Sequence, residues 1–247
     1  METQPVVIEE GEPIWTITRC DALKGLESMA DGSVDLIVTD PPYESLEKHR
    51  KQGGTTGRLK HSTKSSNDWF DIFPNKLLGQ MLFQFYRVLA KNSHCYIMCD
   101  DETSNWLWHY NNLLPRPFKW WKRIVWDKEV IGMGYHYRAR FEFIVFLEKG
   151  KRKIKDLSIP DILQHKRIFN GYPAQKPVAL METLITQSTE DDALVLDPFM
   201  GSGTTGVAAI QQDRRFIGFD KSKAAQEVAL ARLMEAENGL EIAPTED

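Results

Sequence analysis

Two short stretches of this 247-residue sequence carry side chains whose types and spacing could do chemistry. The first is Asp40-Pro41-Pro42-Tyr43, which follows an apolar run at 34–39. Because proline has no N–H donor, both proline carbonyls are predicted to be free to accept hydrogen bonds beside the Asp40 carboxylate. A rigid cluster of acceptors next to a flat aromatic ring suits a planar group that bears an NH2. The alternative is a strand that ends in a proline turn with a solvated aspartate.

The second stretch is a glycine-rich turn, Gly201-x-Gly203-x-x-Gly206, with Asp220 nineteen residues after the first glycine. Glycines let the backbone approach a ligand closely, and an acid at the end of the next strand can accept hydrogen bonds from ribose hydroxyls. The pattern predicts a site for an adenosine-bearing cofactor, and a tight strand-to-helix turn is the alternative. Asp197, just before the glycines, disfavours the pyrophosphate of NAD but would attract an ammonium or a sulfonium.

These stretches need strands and helices that bring them to one place. Short apolar and β-branched runs bounded by turn residues predict strands, and apolar residues at helical spacing between capping signals predict helices. The predicted strands are residues 14–18, 34–39, 94–98, 122–126, 141–147, 193–197 and 214–220, and the predicted helices are residues 22–29, 75–89, 103–114, 178–186, 207–212 and 222–237. The strand–helix–strand order indicates a parallel sheet, whose carboxyl edge would hold both stretches.

Composition and cysteine usage limit the class of protein. The chain is 42% hydrophobic and 27% charged, which is ordinary for a soluble globular protein, and no apolar run approaches the roughly 20 residues that span a bilayer. The first residues show no secretory signal. Cys20, Cys95 and Cys99 form no disulfide framework, which favours a reducing compartment, and we expect a cytoplasmic protein. Cys95 lies in a predicted strand, Cys99 is at the end of that strand, and both are interpreted as core residues.

The net charge of -4 conceals a basic middle. Residues 44–68 contain six Lys or Arg against three acids, and residues 149–167 contain seven against two, whereas residues 182–247 contain five against thirteen. This asymmetry favours one basic face that meets a polyanion, although charged runs are also typical of solvated loops. The 44–68 segment lacks apolar periodicity and is predicted to be a mobile basic loop.

Together, the two stretches resemble the motifs of the S-adenosylmethionine-dependent DNA amino-methyltransferases, which methylate the N6 amine of adenine or the N4 amine of cytosine. The order, with 40–43 before 197–205, is similar to the circularly permuted β group of that family. Further similarities are Cys20-Asp21-Ala22-Leu23, Val125-Trp126-Asp127-Lys128, Glu142-Phe143-Ile144 and Tyr172-Pro173-Ala174-Gln175-Lys176-Pro177, the last of which departs from the family pattern at Tyr172 and Ala174.

The resemblance implies an α/β, Rossmann-like methyltransferase fold: a seven-stranded, mostly parallel sheet with helices on both faces, circularly permuted in chain order. It also implies a single catalytic domain over 1–247, with a small target-recognition insertion at 149–170. Target and cofactor sites would be neighbours at the carboxyl edge of the sheet.

The resemblance assigns roles to residues in both stretches. Asp40 and the Pro41 carbonyl would hold the target amine, and Tyr43 would stack on the base after it leaves the duplex. Lys176 could meet the carboxylate of the cofactor, and no metal is needed. The expected catalytic residues are Asp40, Pro41, Pro42 and Tyr43, and those expected to bind S-adenosylmethionine are Asp21, Ala22, Lys176, Asp197, Phe199, Gly201, Ser202, Gly203, Thr204, Thr205 and Asp220.

Double-stranded DNA is the expected partner, held mainly through its phosphates, and no membrane association is expected. A homodimer would suit the small recognition region. Trp106, Trp108, Trp120 and Trp121 could stack on bases, but core packing is the favoured interpretation. The expected DNA-binding residues are Lys48, Arg50, Lys51, Arg58, Lys60, Arg138, Arg140, Lys151, Arg152, Lys153, Lys166 and Arg167.

Adenine N6 is the favoured target, because family members that methylate cytosine N4 more often carry Ser at the position of Asp40. N4-cytosine methylation is the first alternative. A protein or RNA amine methyltransferase is less favoured, because its motif usually begins with Asn. An NAD oxidoreductase would leave the 40–43 cluster unused, and a DNA-binding module without catalysis is disfavoured by the intact motifs. The biological role could be restriction–modification, orphan regulation or phage self-protection.

Overall fold

The structure is a computed structural model that describes residues 13–45, 71–132, 136–169, 172 and 174–239. Most of the predicted basic loop at 44–68 lies outside these residues, and so do five of the expected DNA contacts. Those five are Lys48, Arg50, Lys51, Arg58 and Lys60. In the described part of the chain, no helix is long and apolar enough to cross a membrane.

Eight strands of the described chain form one sheet, in the order β1-β8-β7-β2-β3-β5-β4-β6. The α/β prediction is confirmed, but the predicted count of seven strands is short by one. The additional strand, β6, has three residues, too few to show an alternation in sequence. The strands are β1 (Trp15–Arg19), β2 (Val34–Thr39), β3 (Leu89–Cys99), β4 (Lys119–Asp127), β5 (Phe141–Lys149), β6 (Ile162–Gln164), β7 (Leu194–Asp197) and β8 (Arg215–Asp220).

The helices also follow the predicted pattern, with shifted ends. They are α1 (Ala22–Ser28), α2 (Leu78–Val88, after a 3₁₀ turn at Asn75–Leu77), α3 (Asp101–Leu113), α4 (Val178–Ser188), α5 (Thr204–Gln211) and α6 (Lys223–Glu237). The helix α5 begins at Thr204, three residues before the predicted start at 207, because Gly203 takes a left-handed conformation and is its N-cap. The glycine turn is therefore tighter than predicted.

Strand direction determines which residues meet at the carboxyl edge. Strands β1, β8, β7, β2 and β3 are mutually parallel, whereas β5 runs antiparallel between β3 and β4. Phe143 near the start of β5 pairs with Cys99 at the end of β3. The first residues of β5, including Glu142, therefore lie at the same edge as Asp40 and Asp197.

Two hydrophobic cores lie on opposite faces of the sheet. Ile37 of β2 packs on one face with Phe85 of α2. Its neighbour Leu36 packs on the other face with Leu184 of α4 and Val207 of α5. Alternate residues of a strand point to opposite faces, and each such buried side chain stabilises the fold by about 1.5–3 kcal/mol. Helices on both faces are thereby confirmed.

The cysteines and tryptophans test the expectations about the core. Both cysteines of β3 are fully buried, as predicted. The prediction of core packing is wrong for Trp106, Trp108 and Trp121, which are 39%, 48% and 49% exposed. The buried face of α3 is centred on Leu107, so its tryptophans point away from the sheet. Trp120 is partly buried against the core.

Candidate active site

A cavity of about 510 Å³ opens at the carboxyl edge of the sheet and is lined by both stretches singled out above. The structure thus brings together residues that are more than 150 positions apart in sequence. The predicted catalytic and cofactor residues on its wall are Asp21, Ala22, Asp40, Pro41, Pro42, Tyr43, Lys176, Asp197, Phe199, Gly201, Ser202, Thr204, Thr205 and Asp220. Tyr172 and Ala174 also line it.

Gly203 belongs to the glycine turn but does not line the cavity. Gly201 and Gly203 both have positive φ, 48° and 75°. A Cβ on Gly203 would lie 2.9 Å from the Cβ of Ala229 in α6, whereas a Cβ on Gly201 would meet nothing within 4 Å. Gly203 therefore packs closely against α6, and its contact with a cofactor stays a prediction.

Two carboxylates on the wall are oriented by backbone donors. Asp220 accepts hydrogen bonds from the backbone N–H of Gly201 at 3.0 Å and of Ser222 at 2.8 Å, and burial raises its pKa. Asp21 caps α1 by accepting the N–H of Leu23 at 3.0 Å. These bonds hold both side chains in place at the cavity, where carboxylate oxygens can accept further hydrogen bonds.

Asp197 is the most deeply buried acid of the site, at 3% exposure. Its carboxylate accepts hydrogen bonds from the hydroxyls of Thr39 and Thr205, each at 2.7 Å, and from the backbone N–H of Phe199 at 3.0 Å. Burial nevertheless raises its pKa to about 7. A cation in the cavity would favour the ionised form, which agrees with the expected attraction of an ammonium or sulfonium.

Arg232 of α6 supports the glycine turn from behind. One guanidinium nitrogen donates to the Ser202 carbonyl at 2.8 Å and to the hydroxyls of Ser202 and Thr204, each at 3.0 Å. Burial lowers the pKa of Arg232. Sequence reasoning missed this residue, because its spacing from the turn carries no local signal.

A buried ion-pair network surrounds the proposed catalytic aspartate. The Lys176 ammonium lies 2.5 Å from Oδ2 of Asp40 and 3.5 Å from Oε2 of Glu142. Oε1 of Glu142 accepts a hydrogen bond from Lys128 at 3.2 Å. Two carboxylates and two ammonium groups therefore balance in charge. Oδ1 of Asp40 is buried and has no hydrogen-bond partner among the described residues.

Burial and charge act in opposite directions on this network. Burial raises the pKa of Asp40, Lys176 opposes this rise, the like charge of Glu142 adds to it, and the net shift is upward. Burial alone would raise the pKa of Glu142, but Lys176 and Lys128 outweigh it and the net shift is downward. Burial alone would lower the pKa of Lys176, but both carboxylates outweigh it and the pKa is raised. The two carboxylates therefore favour the charged form of Lys176.

Aromatic side chains form the apolar wall. Phe73 and Phe199 pack edge to face, with ring centroids 5.1 Å apart, and both line the cavity with Tyr43. The backbone N–H of Phe73 donates to the Pro42 carbonyl at 2.7 Å. The expectation that both proline carbonyls are free is thus wrong for Pro42. Desolvation raises the pKa of Tyr43, which keeps its ring neutral.

The expected DNA contacts near the cavity differ in their surroundings. Arg167 lines the cavity, and Arg138 and Lys166 are exposed. Arg140 is also at this edge, but it binds Asp127 with two hydrogen bonds of 2.6 and 2.8 Å, and these lower the pKa of Asp127 to about 2. Its charge is already balanced.

Three other expected DNA contacts, Lys151, Arg152 and Lys153, lie at the opposite edge of the sheet. They follow β5, whose last residue pairs with Ser93 near the start of β3's buried run. Nine residues of strand separate them from the cavity by about 30 Å. Arg152 instead pairs with Glu190 at 3.5 Å. The structure does not bring these three residues together with the site.

The most informative residue that sequence reasoning left without a role is Glu142. An acid between two phenylalanines at the start of a strand was the available signal. Phe73 and Trp126 were also unassigned, and both line the cavity. Within the described ranges, no three His, Cys, Asp or Glu side chains come together as a metal site.

Comparison with known proteins identifies the class to which this fold and cavity belong. Residues 34–231 match the N6_N4_Mtase family model, described as DNA methylase. This match runs from β2 into α6, and the chain belongs to that family.

Two relatives illustrate the similarity in sequence. The type II methyltransferase M2.DpnII of Streptococcus pneumoniae is 30% identical over 246 residues, which cover 90% of each protein. The DNA adenine methyltransferase YhdJ of Escherichia coli K12 is 28% identical over 262 residues, which cover 90% of this chain and 84% of YhdJ.

Two solved structures illustrate the similarity in fold. M1.HpyAVI has a TM-score of 0.64 at 25% identity, over 89% of this chain and 98% of that one, and its complex with SAM has also been solved. The cytosine-N4-specific PvuII DNA methyltransferase has a TM-score of 0.64 at 18% identity, over 93% of this chain and 96% of that one, which shows a common fold alone.

Proposed function

We propose that this protein is a site-specific DNA methyltransferase that moves a methyl group from S-adenosylmethionine to the N6 amine of adenine in a short DNA sequence. The observation that carries the proposal is the buried Oδ1 of Asp40, which has no hydrogen-bond partner among the described residues, in a cavity shared with the glycine turn. Aspartate at position 40 favours adenine, and so does the name of the relative YhdJ.

S-adenosylmethionine supplies an electrophilic methyl group on a positively charged sulfur when it is bound. The residues of the cavity fit it: Asp220 is placed to accept hydrogen bonds from ribose hydroxyls, and Asp21 with Ala22 forms the adjoining wall. Asp197 favours positive charge nearby, because a cation would restore its ionised form.

On the target side, Asp40 acts through Oδ1, the oxygen that does not pair with Lys176. Oδ1 of Asp40 and the Pro41 carbonyl accept the two amine hydrogens, which turns the nitrogen lone pair toward the methyl carbon. Asp40 then takes the proton that the nitrogen releases as the nitrogen–carbon bond forms and the carbon–sulfur bond breaks. Because its pKa is raised, Asp40 is a stronger base than a solvated aspartate.

The base reaches Asp40 by leaving the duplex stack, and Tyr43 holds its ring. Arg167, which lines the cavity, holds a phosphate at its mouth, and the exposed residues Arg138 and Lys166 hold further phosphates. The five expected DNA contacts in the 44–68 loop lie outside the described residues and stay part of the expected DNA-binding surface.

The test uses S-adenosylmethionine with a labelled methyl group and duplex DNA, followed by analysis of the nucleosides. N6-methyladenine is the expected product, and methylation-sensitive sequencing of DNA from expressing cells gives the recognised sequence. Asp40→Ala should abolish methyl transfer while S-adenosylmethionine binding persists. An Asp40→Ala variant that still methylates DNA would overturn the mechanism, and transfer to protein or RNA alone would overturn the substrate.

N4-cytosine methylation is the second candidate, because PvuII shares the fold and an amine on a ring fits the same acceptors. N4-methylcytosine as the product of the labelled reaction would replace the adenine assignment with this one.

A further inference from the structure

The ammonium of Lys176 lies beside the carboxylate that is proposed to hold the target amine. It is 2.5 Å from Oδ2 of Asp40, and the lysine side chain is 11% exposed. The resemblance had assigned Lys176 to the carboxylate of the cofactor. The inference below rests on the proposed function and concerns how the same site reads the target base.

Three residues hold the Lys176 ammonium in position, namely Asp40, Glu142 and Trp126. Glu142 lies 3.5 Å from its ammonium and is itself anchored by Lys128 at 3.2 Å. The Trp126 ring lies 5.8 Å from the same ammonium, and its indole N–H donates to the His165 carbonyl at 2.8 Å. A cation held between two carboxylates and above a buried ring has little freedom to leave.

Asp40 and Lys176 therefore present an acceptor and a donor side by side on the cavity wall. The acceptor is Oδ1 of Asp40, which has no partner among the described residues. The donor is the Lys176 ammonium, which carries three N–H groups while two carboxylates lie within reach. Both residues line the cavity that the target base must enter.

This order of donor and acceptor matches one edge of two bases. Adenine and cytosine each present an amine next to an unprotonated ring nitrogen, N1 in adenine and N3 in cytosine. Guanine and thymine present a carbonyl next to a ring N–H, which would face Asp40 and Lys176 with the wrong polarity.

We propose that Lys176 donates a hydrogen bond to the ring nitrogen beside the target amine and thereby admits amino bases and excludes guanine and thymine. The contact with Asp40 recognises only the amine, and the contact with Lys176 recognises the ring nitrogen beside it. Two contacts also orient the base in its plane, which one amine contact cannot do.

The test uses base analogues that lack the ring nitrogen and a protein variant that lacks the Lys176 ammonium. Duplexes carry adenine, 1-deazaadenine or 7-deazaadenine at the target position, each opposite an abasic site, so that loss of base pairing does not enter. The wild type should lose about 10- to 100-fold in kcat/KM with 1-deazaadenine, the size of a charge-assisted hydrogen bond, and little with 7-deazaadenine. The equilibrium affinities for the same duplexes, measured without cofactor, should rank the three bases in the same order.

In Lys176→Met the ratio of kcat/KM for adenine to kcat/KM for 1-deazaadenine should fall to about one, whatever the overall rate, because the hydrogen-bond donor is gone. Lys176→Gln keeps an N–H donor without charge and should give an intermediate ratio, and it serves if the methionine variant does not fold. If cytosine is the target, 3-deazacytosine takes the place of 1-deazaadenine.

A wild-type ratio that persists in Lys176→Met would overturn the proposal and leave Lys176 as a counter-ion of Asp40. Weaker S-adenosylmethionine binding with an unchanged ratio would instead place Lys176 at the cofactor. If the wild type does not methylate the unmodified duplex, the proposed function fails, and that result is distinct from a failure of this inference.

Discussion

At the scale of residues, the site contains several buried carboxylates, which nearby positive charges stabilise. Two carboxylates facing one cavity repel each other by about 4 kcal/mol at short range in a partly buried setting. Lys176, between Asp40 and Glu142, offsets that repulsion. Glu142 therefore affects Asp40 through Lys176 and through its own charge, although we assign it no contact with the base.

Replacement of Glu142 tests this coupling. Since Glu142 is one cause of the raised pKa of Asp40, Glu142→Gln should lower the pKa of Asp40. The acidic limb of the pH profile of kcat/KM should then move to lower pH. Glu129→Gln is the matched control, because Glu129 is an exposed acid in the connection that leads into β5. An unmoved acidic limb in Glu142→Gln would contradict the coupling.

Asp197 links folding stability to pH. Burial raises its pKa from 3.8 to about 7, so its contribution to stability is fully present below pH 3.8 and is lost as pH rises through about 7. Relative to Asp197→Asn, the wild type should lose about 2 kcal/mol of unfolding free energy between about pH 5 and pH 7. Denaturant unfolding at several pH values measures this.

The control for that experiment is Asp213→Asn, which changes an exposed aspartate at positive φ where asparagine is well tolerated. A difference between wild type and Asp197→Asn that does not change with pH would contradict the assigned linkage.

At the scale of elements, the turn from β7 into α5 contains two glycines that are required for different physical reasons. Gly201 lines the cavity and needs its left-handed backbone, whereas Gly203 also needs close packing against Ala229. Arg232 ties the same turn to α6. The turn is thus supported by a helix that lies outside the glycine motif.

Two alanine variants distinguish these reasons. Gly201→Ala should cost about 1–2 kcal/mol of stability for its backbone conformation. Gly203→Ala should cost about 1–3 kcal/mol more, because its Cβ overlaps Ala229. S-adenosylmethionine affinity should fall more in Gly201→Ala. Thermal unfolding and equilibrium binding provide the measurements, and the reverse order in stability would contradict the packing role.

At the scale of the whole molecule, strand direction decides which basic residues can serve the site. Because β5 is antiparallel to β3, the residues after β5 emerge far from the cavity, and the chain returns along β6, which is parallel to β4. The 149–170 segment therefore starts at one edge of the sheet and ends at the other. Its role as a target-recognition insertion remains a prediction, as do the homodimer and the circular permutation.

Single alanine variants at the two ends of that segment test this division. Arg167→Ala should weaken DNA binding and reduce the slope of log affinity against log salt by about one, because one phosphate contact is lost. Lys153→Ala removes an equal charge from an exposed residue at the far edge and should leave both unchanged. Equal effects of the two variants would show that DNA covers both edges.

Local patterns in the sequence were enough to predict the alternation of strands and helices and the placement of both motifs at strand ends. Hydrophobic spacing and glycine act over a few residues, so they can be read without a structure. The three-residue strand β6 and the 3₁₀ turn before α2 were missed, because so few residues carry no period.

The sequence by itself therefore determined the fold class and the two halves of the site, the acceptor cluster at 40–43 and the glycine turn with Asp220. The tertiary structure alone decided that Lys176 and Glu142 join Asp40, since they lie 136 and 102 positions further along the chain. It also separated Arg167 from Lys153. The physical reason is that sheet register and strand direction determine which distant charges become neighbours, and no local pattern encodes them.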